Sequence, residues 1–159
     1  MRKGAALFLS LSLFCLHVAS SSADELFKAW LDGDQEVPAV ATDSSGMALL
    51  RLNESETAIE FQLSVNDGSG ITQSHIHCAS AGVNGPIVVF LAGLHAAGLN
   101  VDGKWISNAR ITDAGIVNTA CGANLSELAE SMRAGNTYVN VHSLDFPAGV
   151  IRGQVYPTH

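Results

Sequence analysis

Strict alternation of apolar and polar side chains is the feature that most constrains what this 159-residue chain can fold into. In Ile59–Val65 the odd positions are apolar and the even positions are polar. Successive side chains of a strand point to opposite faces, so this pattern predicts a strand with one buried face. Met47–Asn53 is also predicted to be a strand, with Ala48, Leu50 and Leu52 on the inward face. The short polar connection between the two segments predicts a hairpin.

Five further segments have the length and composition of strands. They are Ile71–His77, Pro86–Ala92, Trp105–Thr112, Thr137–Ser143 and Val150–Tyr156. One helix is predicted between Asn124, an N-cap with Glu127 three positions later, and Gly135. Its apolar stripe consists of Leu125, Leu128, Ala129 and Met132. We therefore expect an all-β fold, an antiparallel β-sandwich or Greek-key-like barrel of about seven or eight strands with one short helix.

The N-terminal segment has the layout of a secretory signal peptide. Arg2 and Lys3 precede an apolar run, which is followed by small residues that end at Ala23. A membrane anchor is the alternative, but the run is short for a spanning helix, which needs about 20 residues. The predicted organisation is a signal peptide at 1–23 and one domain at 24–159. It implies a secreted protein, periplasmic or exported in a bacterium, without membrane contact after cleavage.

Charge and cysteine content agree with that location. The formal net charge is −7, and cleavage would remove two cations and no acid. An acidic domain repels nucleic acid and anionic lipid, so the expected partner is an unidentified extracellular ligand or protein. Loss of Cys15 with the signal peptide leaves Cys78 and Cys121 as an even pair in an oxidising compartment. We predict a disulfide between them, the alternative being two free buried thiols.

Three histidines are candidates for a metal site. His75 and His77 lie two positions apart on a predicted strand, so their side chains share a face, while Ile76 is directed to the core. His142 belongs to a strand whose valines face inward, which places its side chain on the outer or end face. Three imidazoles on one surface suit Zn²⁺ or Cu²⁺. The alternative is that they bond to loops and are purely structural.

Other polar residues are expected to have structural roles. Arg152 on the last strand is expected to pair with an acid, for which Glu36 is suitable. Asp67 and Asp145 lie in turns that contain Gly or Pro, where Asp commonly serves backbone conformation. The two glycosylation sequons, relevant only if the protein is made in a eukaryote, begin at Asn53 and Asn124.

Four segments, taken in order, carry a resemblance to a known family. They are Leu31–Pro38, Ser74–Cys78 with Gly82–Val89, Ala134–Ser143, and Pro147–Val155. Together they resemble the CHRD family, the domain type repeated in chordin, over about residues 26–156. Ala39 and Val150 depart from it, since a second proline and an acid are common there. The resemblance implies a small secreted β-sandwich, but not chordin's antagonism of growth factors, because nothing here resembles chordin's cysteine-rich modules.

Function is therefore expected to be binding rather than catalysis. The sequence contains no nucleophile elbow, phosphate loop or dinucleotide fingerprint. The main hypothesis is a secreted, non-catalytic domain with a Cu or Zn site made by His75, His77 and His142. One alternative is an extracellular protein-interaction module with purely structural histidines. Another is a metal-dependent enzyme, which would need an open coordination position beside a substrate cleft.

Cleavage after Ala23 is the first testable prediction. The basic start, the apolar run and the small residues together predict that secreted material begins at or near Asp24. N-terminal sequencing of the secreted protein measures this directly. A mature protein that still carries Met1 would contradict the prediction.

Overall fold

The structure, a computed structural model, describes the backbone of residues 23–101 and 104–158 and their side chains except at 104–106. The predicted signal peptide, apart from Ala23, lies outside the described residues. In the described chain, two antiparallel sheets contain nine strands. These are β1 (Glu25–Leu31), β2 (Ser45–Leu52), β3 (Ile59–Asn66), β4 (Ile71–Cys78), β5 (Ile87–Ala92), β6 (Lys104–Ile111), β7 (Thr137–Ser143), β8 (Ile151–Gln154) and β9 (Tyr156–Pro157).

The two sheets pack face to face, which confirms the predicted antiparallel β-sandwich. The five-stranded sheet has the order β6-β3-β2-β1-β9, and the four-stranded sheet has the order β5-β4-β7-β8. The predicted hairpin is the β2–β3 pair, whose inward Ala48, Leu50 and Leu52 are each 1% exposed. Between the sheets these side chains meet Ile76 and Val139 of the four-stranded sheet in one core.

Two strands were not anticipated from the sequence, so the count exceeds the expected seven or eight. β1 buries Phe27, Ala29 and Leu31, but Leu26 and Trp30 on its other face are also apolar, and this masks the period of two. The predicted strand Val150–Tyr156 is divided in two. After β8 the chain crosses to the other sheet, where β9 pairs with β1.

The predicted helix is present as α1 (Leu125–Arg133). Asn124 is its N-cap, and the Asn124 Oδ1 accepts a hydrogen bond of 3.0 Å from the backbone N–H of Glu127. Glu127 also binds the residue before the cap, because its Oε2 accepts from the backbone N–H of Ala123 at 2.7 Å. The predicted apolar stripe is buried against the sandwich. No helix in the described residues has the length and apolar character needed to cross a bilayer.

The predicted disulfide joins Cys78 at the end of β4 to Cys121 in the loop before α1, with 5.5 Å between their Cα atoms. Cys121 is buried and belongs to the hydrophobic core. The bond therefore ties the helix and its preceding loop to the strand that carries two of the three candidate histidines.

Reduction of this disulfide should lower the free energy of unfolding by about 4 kcal/mol, the chain-entropy cost for a loop of this length. The two cysteines are 43 positions apart in the sequence. Urea unfolding of the oxidised protein and of a Cys78→Ala/Cys121→Ala variant provides the measurement. Equal stability of the two proteins would contradict the expected contribution.

Candidate metal centre

Pairing of β4 with β7 places the three candidate histidines on one face of the four-stranded sheet. His75 lies opposite Asn140, and His77 lies opposite Tyr138. Directly opposed residues of an antiparallel pair share a face. Ile76 on the same strand points the other way, into the core, and is fully buried. The alternation of β4 thus sorts imidazoles to one face and apolar side chains to the other.

The three imidazoles are close enough to act on a common ion. One ligand nitrogen from each of His75, His77 and His142 can be chosen so that all three lie within 4.8 Å of one another. His75 Nδ1 and His142 Nε2 are 2.9 Å apart, a hydrogen-bond distance. The structure therefore brings together all three of the histidines named from the sequence.

Two backbone carbonyls fix the orientation of the rings. His77 Nδ1 lies 2.9 Å from the carbonyl oxygen of Gly85, and His142 Nδ1 lies 2.9 Å from that of Pro147. A carbonyl oxygen only accepts, so both Nδ1 atoms carry the proton and both Nε2 atoms present a lone pair. His75 Nδ1–H consequently donates to His142 Nε2. Metal-binding histidines commonly anchor their second nitrogen in this way.

The histidine face lies on the side of the sheet opposite the core, and it is nevertheless buried. His75 is 0% exposed, His77 is 8% exposed and His142 is 6% exposed. Phe90 meets the His75 ring edge-on at 4.7 Å between centroids, and Tyr138 stacks on His77 at 4.7 Å. Loops that supply the two anchoring carbonyls lie over the remaining part of the face.

Burial keeps the three imidazoles neutral. Loss of solvation lowers the pKa of all three, and together with the neighbouring histidines it lowers the pKa of His75 to about 3. The Nε2 atoms of His75 and His77 are buried and have no hydrogen-bond partner in the structure. Neutral imidazole is the form that ligates a metal. The cluster thus holds lone pairs that the protein itself leaves unused.

Arg152 is the largest fully buried side chain of the described residues, at 1% exposure. Its guanidinium lies over the Tyr138 ring at 3.5 Å, on the ring that stacks on His77. It donates to the carbonyl oxygens of Ser80 and Val83 and to the side chain of Asn84. Arg152 therefore holds the loop after β4 against the sheet.

The expected pairing of Arg152 with Glu36 takes a different form. Glu36 Oε1 accepts a hydrogen bond of 2.6 Å from Asn140 Nδ2, while the hydrogen bonds of Arg152 go to the loop after β4. Burial raises the pKa of Glu36 to about 7, and the charge of Arg152 and the bond from Asn140 oppose this rise. The two groups act on each other through charge, because each has its direct partner elsewhere.

The four segments that carry the family resemblance converge on this face. Glu36 comes from the first, His77 and Asn84 from the second, Asn140 from the third and Arg152 from the last. The sequence analysis gave neither Asn140 nor Tyr138 a role at this face. The signal for both was their position on the same side of β7 as His142, within the third segment of the family resemblance.

Comparison with known families decides what these segments mean. The model of the CHRD domain matches residues 27–155, nearly the whole chain. The chain belongs to the CHRD family. CHRD domains occur in extracellular proteins, and membership points to an extracellular binding module. Comparison with curated proteins finds no match.

The remaining polar candidates of this CHRD domain are not part of the histidine cluster. Asp67 adopts a positive φ of 52°, in agreement with its predicted role in a turn, and Asp145 lies in an exposed loop. Asn53 Oδ1 accepts from the backbone N–H groups of Thr57 and Ala58, so this sequon side chain organises its own turn. The second sequon side chain, Asn124, caps α1.

Stability of the metal-free domain should fall as the pH drops below about 6.5, the value for a histidine in an unfolded chain. Burial lowers the folded pKa of the three imidazoles, so the unfolded state binds more protons below that pH. The stabilisation is complete above it and is lost progressively on acidification, down to about pH 3 for His75. Below that pH, each imidazole that is still neutral in the folded state adds about 1.4 kcal/mol per pH unit to the slope of the unfolding free energy against pH.

Urea unfolding in EDTA between pH 7 and pH 4 measures this slope. His75→Asn should reduce the slope of the unfolding free energy against pH by the contribution of one imidazole. Asn is chosen because its amide nitrogen can replace Nδ1 as donor to His142. Identical slopes for the wild type and His75→Asn would show that His75 is not held neutral by burial.

Proposed function

We propose that this CHRD domain is a secreted, non-catalytic binding domain that holds one Cu²⁺ or Zn²⁺ ion on His75, His77 and His142. The observation that carries the proposal is the orientation of the rings. Bonds from Nδ1 of His77 and His142 to backbone carbonyls leave the Nε2 lone pair of each ring for an ion, and one nitrogen from each of the three rings lies within 4.8 Å of the others.

The spacing of the nitrogens supports a single ion. Zn–N bonds of about 2.0–2.1 Å in tetrahedral geometry place two ligand nitrogens about 3.3 Å apart. The observed 2.9 Å between His75 Nδ1 and His142 Nε2 is shorter, and the widest separation in the cluster is within 4.8 Å. Small rotations of the rings would therefore bring the three nitrogens to the separations that a single zinc ion requires. His75 can ligate through Nε2, which has no partner in the structure, or through Nδ1 once the Nδ1 proton has moved to Nε2.

The ligand set favours copper or zinc over calcium or magnesium. The cluster consists of imidazoles alone, and Ca²⁺ and Mg²⁺ prefer oxygen ligands. Three nitrogens leave a fourth position for water or another ligand. The burial of all three histidines limits access of a substrate to that position, which supports binding without catalysis.

The proposal of secretion rests on separate observations. CHRD domains occur in extracellular proteins, and the disulfide is typical of an oxidising compartment. The N-terminal sequence has the layout of a signal peptide.

The alternative is an interaction module in which the histidines are structural. It is favoured by the bond between His75 and His142 and by the two carbonyl anchors, which hold two loops on the sheet without an ion. Under the metal hypothesis the unpartnered Nε2 atoms ligate an ion, whereas under the structural hypothesis they bind none.

Titration calorimetry of the mature protein with Cu²⁺ and with Zn²⁺ separates them. We expect one ion per chain, and a loss of affinity of at least about 100-fold in His77→Ala and in His142→Ala, the scale set by weaker perturbations around metal ligands. His95→Ala is the matched control and should bind as the wild type does. Affinity should fall between pH 7 and pH 5, because protons compete for the same lone pairs.

Equal weak binding by the wild type and by both cluster variants would overturn the metal proposal and leave the structural role. Folding of each variant is checked by urea unfolding in EDTA, so that loss of affinity is not confused with loss of structure.

A further inference from the structure

A cleft of about 470 Å³ opens between two loops beside the histidine face. Its walls are residues 36–41 and residues 145–149. The side chains that line it are mostly apolar, among them Val37, Pro38, Phe146 and Ala148. Pro147, whose carbonyl anchors His142, belongs to the same wall. The cleft is thus distinct from the imidazole cluster but shares a loop with it.

Glu36 contributes a buried carboxyl group to this apolar cleft. The side chain is 8% exposed, and its Oε1 accepts from Asn140 Nδ2 at 2.6 Å. Within the described residues, Oε2 takes part in no hydrogen bond or ion pair of 4.0 Å or less. A carboxylate has room for several donors, so Oε2 remains available to an occupant of the cleft.

Gly149 allows the second loop to close on this carboxyl group. Its φ of +142° is in the region that favours glycine, and a Cβ there would collide with Glu36 Oε1 and Asn140 Nδ2. The position of the carboxyl group is therefore set by three separate parts of the chain, the 36–41 loop, β7 and the 145–149 loop.

The charged side chains of the cleft favour an occupant with a positive charge. The charged side chains that line the cleft are Glu36 and Asp145, both acidic. Arg152 is the nearby cation that acts on Glu36, but the hydrogen bonds that it donates go to Ser80, Val83 and Asn84 rather than to Glu36. An ion with its own donors can therefore reach Oε2 without displacing Arg152.

We propose that the Glu36 cleft is a binding site for a small alkylammonium ion. The ammonium group donates to Glu36 Oε2, and the alkyl chain packs between Val37, Pro38 and the apolar side chains of the 145–149 loop. A charge-assisted hydrogen bond from the ammonium group stabilises the buried carboxylate. Burial of the alkyl chain against the apolar walls removes apolar surface from water, which also favours binding. The site uses no ligand of the proposed metal centre, so failure of one proposal would leave the other unaffected.

Calorimetry with hexylammonium, hexanol and hexanoate tests the site. The titrations are made at pH 8 in EDTA, because burial raises the pKa of Glu36 to about 7 and the group must be charged. Hexylammonium should bind more tightly than hexanol, and hexanoate should bind weakest. Glu36→Gln should weaken hexylammonium binding by about tenfold or more, the scale of a hydrogen bond to a charged group.

Glu54→Gln is the matched control, since it removes one exposed negative charge away from the cleft and should leave binding unchanged. Ala148→Phe fills the cleft without altering Glu36 and should abolish binding, which keeps the test decisive if Glu36→Gln unfolds. Hexanol and hexylammonium binding equally, or both cleft variants retaining wild-type affinity, would overturn the proposal.

Discussion

The outer face of the four-stranded sheet carries polar side chains that are buried, and each of them requires a hydrogen-bond partner. A buried polar group without one costs about 1–3 kcal/mol. Backbone carbonyls of Gly85 and Pro147 meet this need for His77 and His142, and three acceptors in the loop after β4 meet it for Arg152. The loops are therefore held in place by the same side chains that they cover.

This reciprocal arrangement explains the chemistry of the histidine face. Strands position the rings rigidly, and loops exclude the water that would favour protonation. The result is a group of neutral imidazoles in which the Nε2 atoms of His75 and His77 have no partner. An unmet acceptor inside a protein calls for a proton donor, a water or an ion, and three imidazoles together are best suited to an ion.

The sequence predicted what depends on local alternation, and it did not predict what depends on distant contacts. The hairpin, the helix with its Asn124 cap and the shared face of His75 and His77 all follow from neighbours in the chain. β1 was missed because apolar side chains occupy both of its faces. Burial of the histidines was missed because it depends on two loops whose positions are set by long-range bonds, such as those of Arg152.

A crystal grown with one equivalent of Zn²⁺, with diffraction data collected on both sides of the zinc absorption edge, tests the central claim most directly. The account predicts one anomalous peak per chain, with nitrogens of His75, His77 and His142 at about 2.0–2.1 Å from it. Zinc found only at surface carboxylates, with His75 Nδ1 still 2.9 Å from His142 Nε2, would contradict the claim.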